Sequence, residues 1–123
     1  MTRIRMTRAL ALLLALALLT GPTIAQDARP AGAGFRAEAE PDILGRRGPA
    51  VVGWLYNDQR VGLTNVRVRV DVLDGGGQTV GTGEAYVYGN VPAGGRSYFF
   101  VPVSRFGASY RVSVVRFDRL EMQ

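Results

Sequence analysis

The stretch from Asn65 to Asp74 reads Asn-Val-Arg-Val-Arg-Val-Asp-Val-Leu-Asp and places Val66, Val68, Val70 and Val72 at every second position. In an extended chain successive side chains point to opposite faces, so the valines form one apolar row while Arg67, Arg69 and Asp71 form the other. The spacing predicts a half-buried β-strand. An apolar row of that length needs a second layer to cover it, and the neighbouring segments must supply that cover.

Length and composition narrow the ways this can be done. A chain of 123 residues has room for one domain. It has no cysteine, so the domain must be held by its core without disulfides. The first 25 residues carry the three parts of a secretory signal: Arg3, Arg5 and Arg8, then the apolar run Ala9 to Leu19, then Gly21-Pro22 ahead of Thr23-Ile24-Ala25. The run of 11 residues is shorter than the ~17 to 25 that a membrane-spanning helix needs, so cleavage after Ala25 is expected and no stable membrane span remains. No cysteine follows the run to carry a lipid. The expected location is outside the cytoplasm, periplasmic or extracellular in a bacterium. All fifteen basic residues are arginine. Without the first three, twelve arginines face ten carboxylates, a balance too small and too dispersed for a nucleic-acid footprint.

Residues 26–49 are rich in Ala, Gly, Pro and charge, and their only large apolar side chains are Phe35, Ile43 and Leu44. They are expected to form a flexible arm or linker, with a short edge strand at Phe35 to Glu40 as the lesser alternative. The Arg46-Arg47 pair is expected in a solvated loop. From Ala50 the pattern becomes strand-like. Ala50 to Asn57 is β-branched and aromatic, and its inward row is either Val51, Gly53 and Leu55 or Val52, Trp54 and Tyr56. After the central strand, Asp74-Gly75-Gly76-Gly77-Gln78 has the composition of a tight hairpin turn. A return strand follows from Thr79 to about Tyr88, where Gly81 and Gly83 predict a bulge or a close strand approach. Arg96 to Val103 and Ser109 to Asp118 complete the set. Pro102 puts the end of its strand at an edge or bulge, because it has no N–H to donate. Short strands at regular spacing predict an all-β, immunoglobulin-like sandwich of about five to seven strands, spanning 50–119 and followed by a tail at 120–123. Val68, Val70, Phe99, Val101, Val112 and Val114 are its expected core.

The order of these pieces resembles the FxLYD family of small exported bacterial domains. The likeness is carried by Gly53-Trp54-Leu55-Tyr56-Asn57, by Asn65-Val66 opening the alternating strand, and by Val70-Asp71-Val72-Leu73-Asp74 at the family's signature, where Asp74 is retained. Pro92 to Gly94 and Phe99 to Val101 continue it. The resemblance implies a non-catalytic accessory or interaction module of the cell envelope, with Leu55 and Phe99 pointing inward. Trp54, Tyr56, Tyr98 and Phe100 would then point outward as a candidate surface for a protein partner, a second copy of the chain, or a sugar ring.

Little else in the chain suggests chemistry. Without histidine or cysteine the usual triads and thiol sites are unavailable. Asp71 and Asp74 are close in sequence, but acids in such places are commonly solvated or cap the turn. Gly75 to Gly77 lacks the Lys-Ser/Thr and the helix start of a phosphate loop. No catalytic residue, metal or cofactor is expected. A carbohydrate-binding module is the alternative to protein binding, and it would rely on Asn57 and Asp58 as the polar pair beside Trp54 and Tyr56.

Overall fold

The computed structural model describes residues 28–120 and contains seven strands: β1 (Arg29–Gly32), β2 (Phe35–Pro41), β3 (Ala50–Asn57), β4 (Leu63–Leu73), β5 (Thr79–Tyr86), β6 (Arg96–Pro102) and β7 (Ser109–Arg119). The expected signal segment 1–25, its cleavage point and residues 121–123 of the tail lie outside the described residues. The strands form two antiparallel sheets, one ordered β1-β2-β3-β6 and the other β5-β4-β7. This is a β-sandwich. β1 to β3 and the β4-β5 hairpin each stay within one sheet, while the connections β3–β4, β5–β6 and β6–β7 cross between the sheets, so that β6 pairs with β3 and β7 with β4. No helix among the described residues is long and apolar enough to cross a membrane.

The valine row of β4 lies in the middle of the three-stranded sheet, and all four side chains are fully buried. Val51 and Leu55 of β3 and Phe99 and Val101 of β6 face it from the other layer, also fully buried. The inward row of β3 is therefore Val51, Gly53 and Leu55, the first of the two sequence alternatives. Five of the six expected core residues are buried; Val114 is only half-buried against the core, because β7 is the outer strand of its sheet.

Residues 28–49 do not form the expected flexible arm, and the alternative of a strand from Phe35 holds as β2, though β1 and not β2 is the edge. β2 pairs with β3 over its full length, from Phe35 opposite Asn57 to Pro41 opposite Val51, and β1 adds one more strand. The folded unit thus begins near Arg29, not at residue 50. Counting only large apolar side chains undervalued this segment. Ala31, Phe35 and Ala37 alternate inward and are buried, Phe35 packs edge-on against Phe117 at 5.4 Å, and the backbone of β2 completes the ladder of β3. Small inward side chains suffice where the neighbouring sheet already supplies the bulk.

Close approach also explains two glycines. A Cβ on Gly83 would collide with the carbonyl oxygen of Pro102, so β5 and β6 meet across the sandwich edge only because that side chain is missing. A Cβ on Gly53 would likewise run into the carbonyl of Glu38. Register shifts at the end of β4 opposite Thr79 and at its start, where Asn65 takes a left-handed φ of 52°, mark bulges that bend the long strand. The hairpin at Asp74 is closed by the Asp74 carboxylate, which accepts hydrogen bonds from the N–H groups of Gly76 and Gln78, both at 2.9 Å.

Truncating Phe99 to Ala should lower the unfolding free energy by about 3 to 5 kcal/mol in urea denaturation, since it empties the centre of the core. Gly83→Ala should cost about 1 to 3 kcal/mol through overpacking against backbone that cannot move aside. Gly75→Ala, where nothing lies within 4 Å, should be nearly neutral and serves as the control.

Candidate functional site

The outer face of the four-stranded sheet is set by the alternation of β3 and β6. With Leu55 and Phe99 directed into the core, Trp54, Tyr56, Tyr98 and Phe100 must face the other way. Register then places Trp54 opposite Tyr98, Tyr56 opposite Arg96, and Val52 opposite Phe100. On the other flank β2 contributes Arg36 beside Tyr56, Glu38 beside Trp54 and Glu40 beside Val52. The four aromatics share one face, and each is half-buried.

They are packed, not bare. Trp54 and Tyr98 meet edge-to-face with centroids 5.5 Å apart, and Tyr88, from the crossover after β5, lies 5.6 Å from Tyr98. Arginines cover much of the rest. The guanidinium of Arg96 sits 4.0 Å from the Trp54 ring centroid, that of Arg36 4.7 Å from Tyr56, and that of Arg47 4.4 Å from Phe100. Such stacks contribute about 0.5 to 1 kcal/mol at exposed sites and hold the planar cation flat on the ring. Arg47, expected in a solvated loop, is thus part of this face. The aromatics were legible from alternation, but their arginine cover was not, since Arg47 comes from a loop and Arg36 from the segment expected to be an arm.

Polar contacts fix the arrangement. Arg96 Nη1 donates to the Tyr56 hydroxyl at 3.2 Å, and that hydroxyl donates to Glu38 Oε1 at 3.0 Å. Arg36 forms a two-pronged pair with Asp58, Nε to Oδ2 at 2.6 Å and Nη2 to Oδ1 at 3.0 Å. This hydrogen bond holds the Asp58 carboxyl below its ordinary range and raises the Arg36 guanidinium. Burial, with the nearby charges of Asp42 and Glu40, pushes the Tyr98 phenol up, so it stays neutral and can donate. The edge of β6 is partly engaged: the Tyr88 N–H donates to the Tyr98 carbonyl at 2.9 Å, and Pro102 has no N–H.

Asn57 is not beside the aromatics. It points into the sandwich, fully buried, where its amide group lies within hydrogen-bonding reach of the carbonyls of Val61, Val91 and Pro92 and its oxygen accepts from the Gln59 N–H. With Asp58 held by Arg36, the polar pair on which the carbohydrate alternative relied is committed to structure. The acids weighed for catalysis are also engaged separately. Asp71 lies between Arg69 at 3.0 Å and Arg111 at 3.4 Å on the outer face of the other sheet, while Asp74 caps its turn. No cluster of three or more His, Cys, Asp or Glu side chains occurs among the described residues.

A groove of about 600 Å³ borders the aromatic face, running along β2 past Glu38 and Glu40 toward Gly107 and Tyr110. It gives the β2 side of the face an acidic margin. No family model, curated protein or solved structure matches this chain.

Removing the Asn57 amide by Asn57→Ala should destabilise the fold by about 1 to 3 kcal/mol in thermal or urea unfolding, because buried carbonyls lose their donors. For Asp58 the folded value lies below the unfolded one. Its contribution is therefore complete above the ordinary carboxylate range and disappears as pH falls through the lowered value. A carboxyl-carbon NMR titration should find Asp58 titrating below an unpaired aspartate, and Arg36→Gln should return it to the ordinary range.

Proposed function

We propose that the protein is a non-catalytic extracytoplasmic interaction module that docks a protein partner, or a second copy of itself, through the outer face of its four-stranded sheet. The observation that carries this reading is the set Tyr56, Trp54, Tyr98 and Phe100 on the outer face of the sheet, half-buried beneath Arg36, Arg96 and Arg47 but still reaching solvent. Aromatic rings and arginines are the side chains that most often dominate protein interfaces, since they bring large area at little rotamer cost. Three features support an accessory role: the N-terminal segment patterned as a secretory signal, the FxLYD-like order of the strands, and the commitment of Asp71 and Asp74 to ion pairing and turn capping.

The test is photocrosslinking in the exporting cell. A crosslinker at Tyr98 should capture one defined species, either a single partner or a second copy, whereas one at Tyr86 on the opposite sheet should not. Replacing Trp54 and Tyr98 together with Ser should leave the circular dichroism spectrum unchanged and abolish the crosslink from a neighbouring site on the same face. Equal capture from both sheets, or none from Tyr98, would overturn the reading.

A further inference from the structure

The arginines that lie on aromatic rings fall into two groups. Arg36 lies on Tyr56 and directs its fork of donors to Asp58; Arg67 lies on Tyr86, 5.0 Å from the centroid, and donates through Nε to Glu84 at 2.8 Å. In both, a ring supports the guanidinium from one side and a carboxylate takes one or two of its N–H groups. Arg47 on Phe100 and Arg96 on Trp54 form the other group, with no carboxylate pairing with either among the described residues, and Arg96 makes the closest approach of the set at 4.0 Å. One of its nitrogens is tied to the Tyr56 hydroxyl, which in turn is tied to Glu38, so the plane and rotation of the fork are set.

From this we infer that Arg96, stacked on Trp54, is a receptor for a single carboxylate side chain from an acidic segment of the docking partner. The inference rests on the proposed use of this face and adds the chemistry that the partner must bring. A guanidinium already fixed by stacking loses little freedom when it makes a two-pronged bond, and its delocalised charge is weakly hydrated, which favours carboxylate over water. Charge is compatible with this assignment: without Arg3, Arg5 and Arg8 the chain holds twelve arginines against ten carboxylates, a small net attraction for an acidic partner. The acidic margin limits the ligand. Glu38, tied to the same Tyr56 hydroxyl as Arg96, and Glu40 beyond it repel a dianionic phosphate or a polysulfated chain more strongly than a single carboxylate.

Trp54 is the only tryptophan of the chain, so its fluorescence reads the site directly. The full chain is titrated with an acetylated, amidated hexapeptide of alternating glycine and glutamate, and with the same peptide carrying glutamine. A saturable change with the glutamate peptide that weakens as salt rises is expected. It should fall about tenfold or more in Arg96→Gln, and nearly as far in Arg96→Lys, which keeps the charge but loses the planar fork. Circular dichroism establishes that both variants are folded, and Arg105→Gln, away from the face, should bind as the parent does. Equal binding of the glutamine peptide, full binding by Arg96→Lys, or no saturable change with the glutamate peptide would overturn the inference. Tighter binding of inorganic phosphate or of a heparin hexasaccharide would overturn the assignment to carboxylate. Any of these results with the Tyr98 crosslink intact would leave the docking face standing, whereas loss of that crosslink would remove the face itself.

Discussion

Four valines on one face of β4 must be kept from water by a layer that comes from elsewhere in the chain, and most of the architecture follows from how that is done. At roughly 1.5 to 3 kcal/mol for each buried side chain of this size, the row is among the larger favourable contributions available to a domain without disulfides. Its cover is Leu55 on β3, the strand just before β4 in the chain, and Phe99 and Val101 on β6, well after it, two strands adjacent to each other in space. Once Leu55 and Phe99 are committed inward, the pleat leaves Trp54 and Tyr98 no choice but the outer surface. The candidate site is thus the reverse side of the core packing, and it cannot be moved without moving the core.

How much of this was legible depends on side-chain size. Strands β3 to β7 announce themselves because β-branched and aromatic residues alternate with polar ones between turns dense in glycine, and each element lies where that pattern puts it. The inward row of β3 was ambiguous from periodicity alone, since Val51, Gly53 and Leu55 carry no more apolar bulk than Val52, Trp54 and Tyr56. What decides it is packing. Gly53 lies against the Glu38 backbone, a place too tight for any side chain. β1 and β2 were obscured for the opposite reason: their inward residues are mostly alanines, which are uncommon in strands, and their stabilisation comes from ladder hydrogen bonds and from Phe35.

The site was legible in part. Alternation alone places the four aromatics on one face, but it says nothing of what lies above them. Arg36, Arg47 and Arg96 reach the rings from a strand, a loop and a strand respectively, across separations no local pattern spans. They change the character of the surface from an apolar platform to a layer of guanidinium planes on aromatic supports. A sugar ring would have to displace Arg96 to stack on that side of Trp54, while a carboxylate meets it in place.

This arrangement gives a physical meaning to the use of arginine for all fifteen basic residues. A lysine ammonium is compact and strongly hydrated, and it can neither lie flat on a ring nor offer two parallel donors to one carboxylate. In the described structure Arg36 does both at once, Arg67 lies over Tyr86 and donates through Nε to Glu84, Arg69 and Arg111 bracket Asp71, and Arg47 and Arg96 lie over Phe100 and Trp54. Six arginines thus serve geometries that depend on planarity. On a small sandwich whose outer faces carry several aromatic residues, this lets those rings stay at the surface without forming a bare apolar patch. If the face docks an acidic partner as proposed, the same layer leaves at Arg96 a directional contact by which that partner could be told from others.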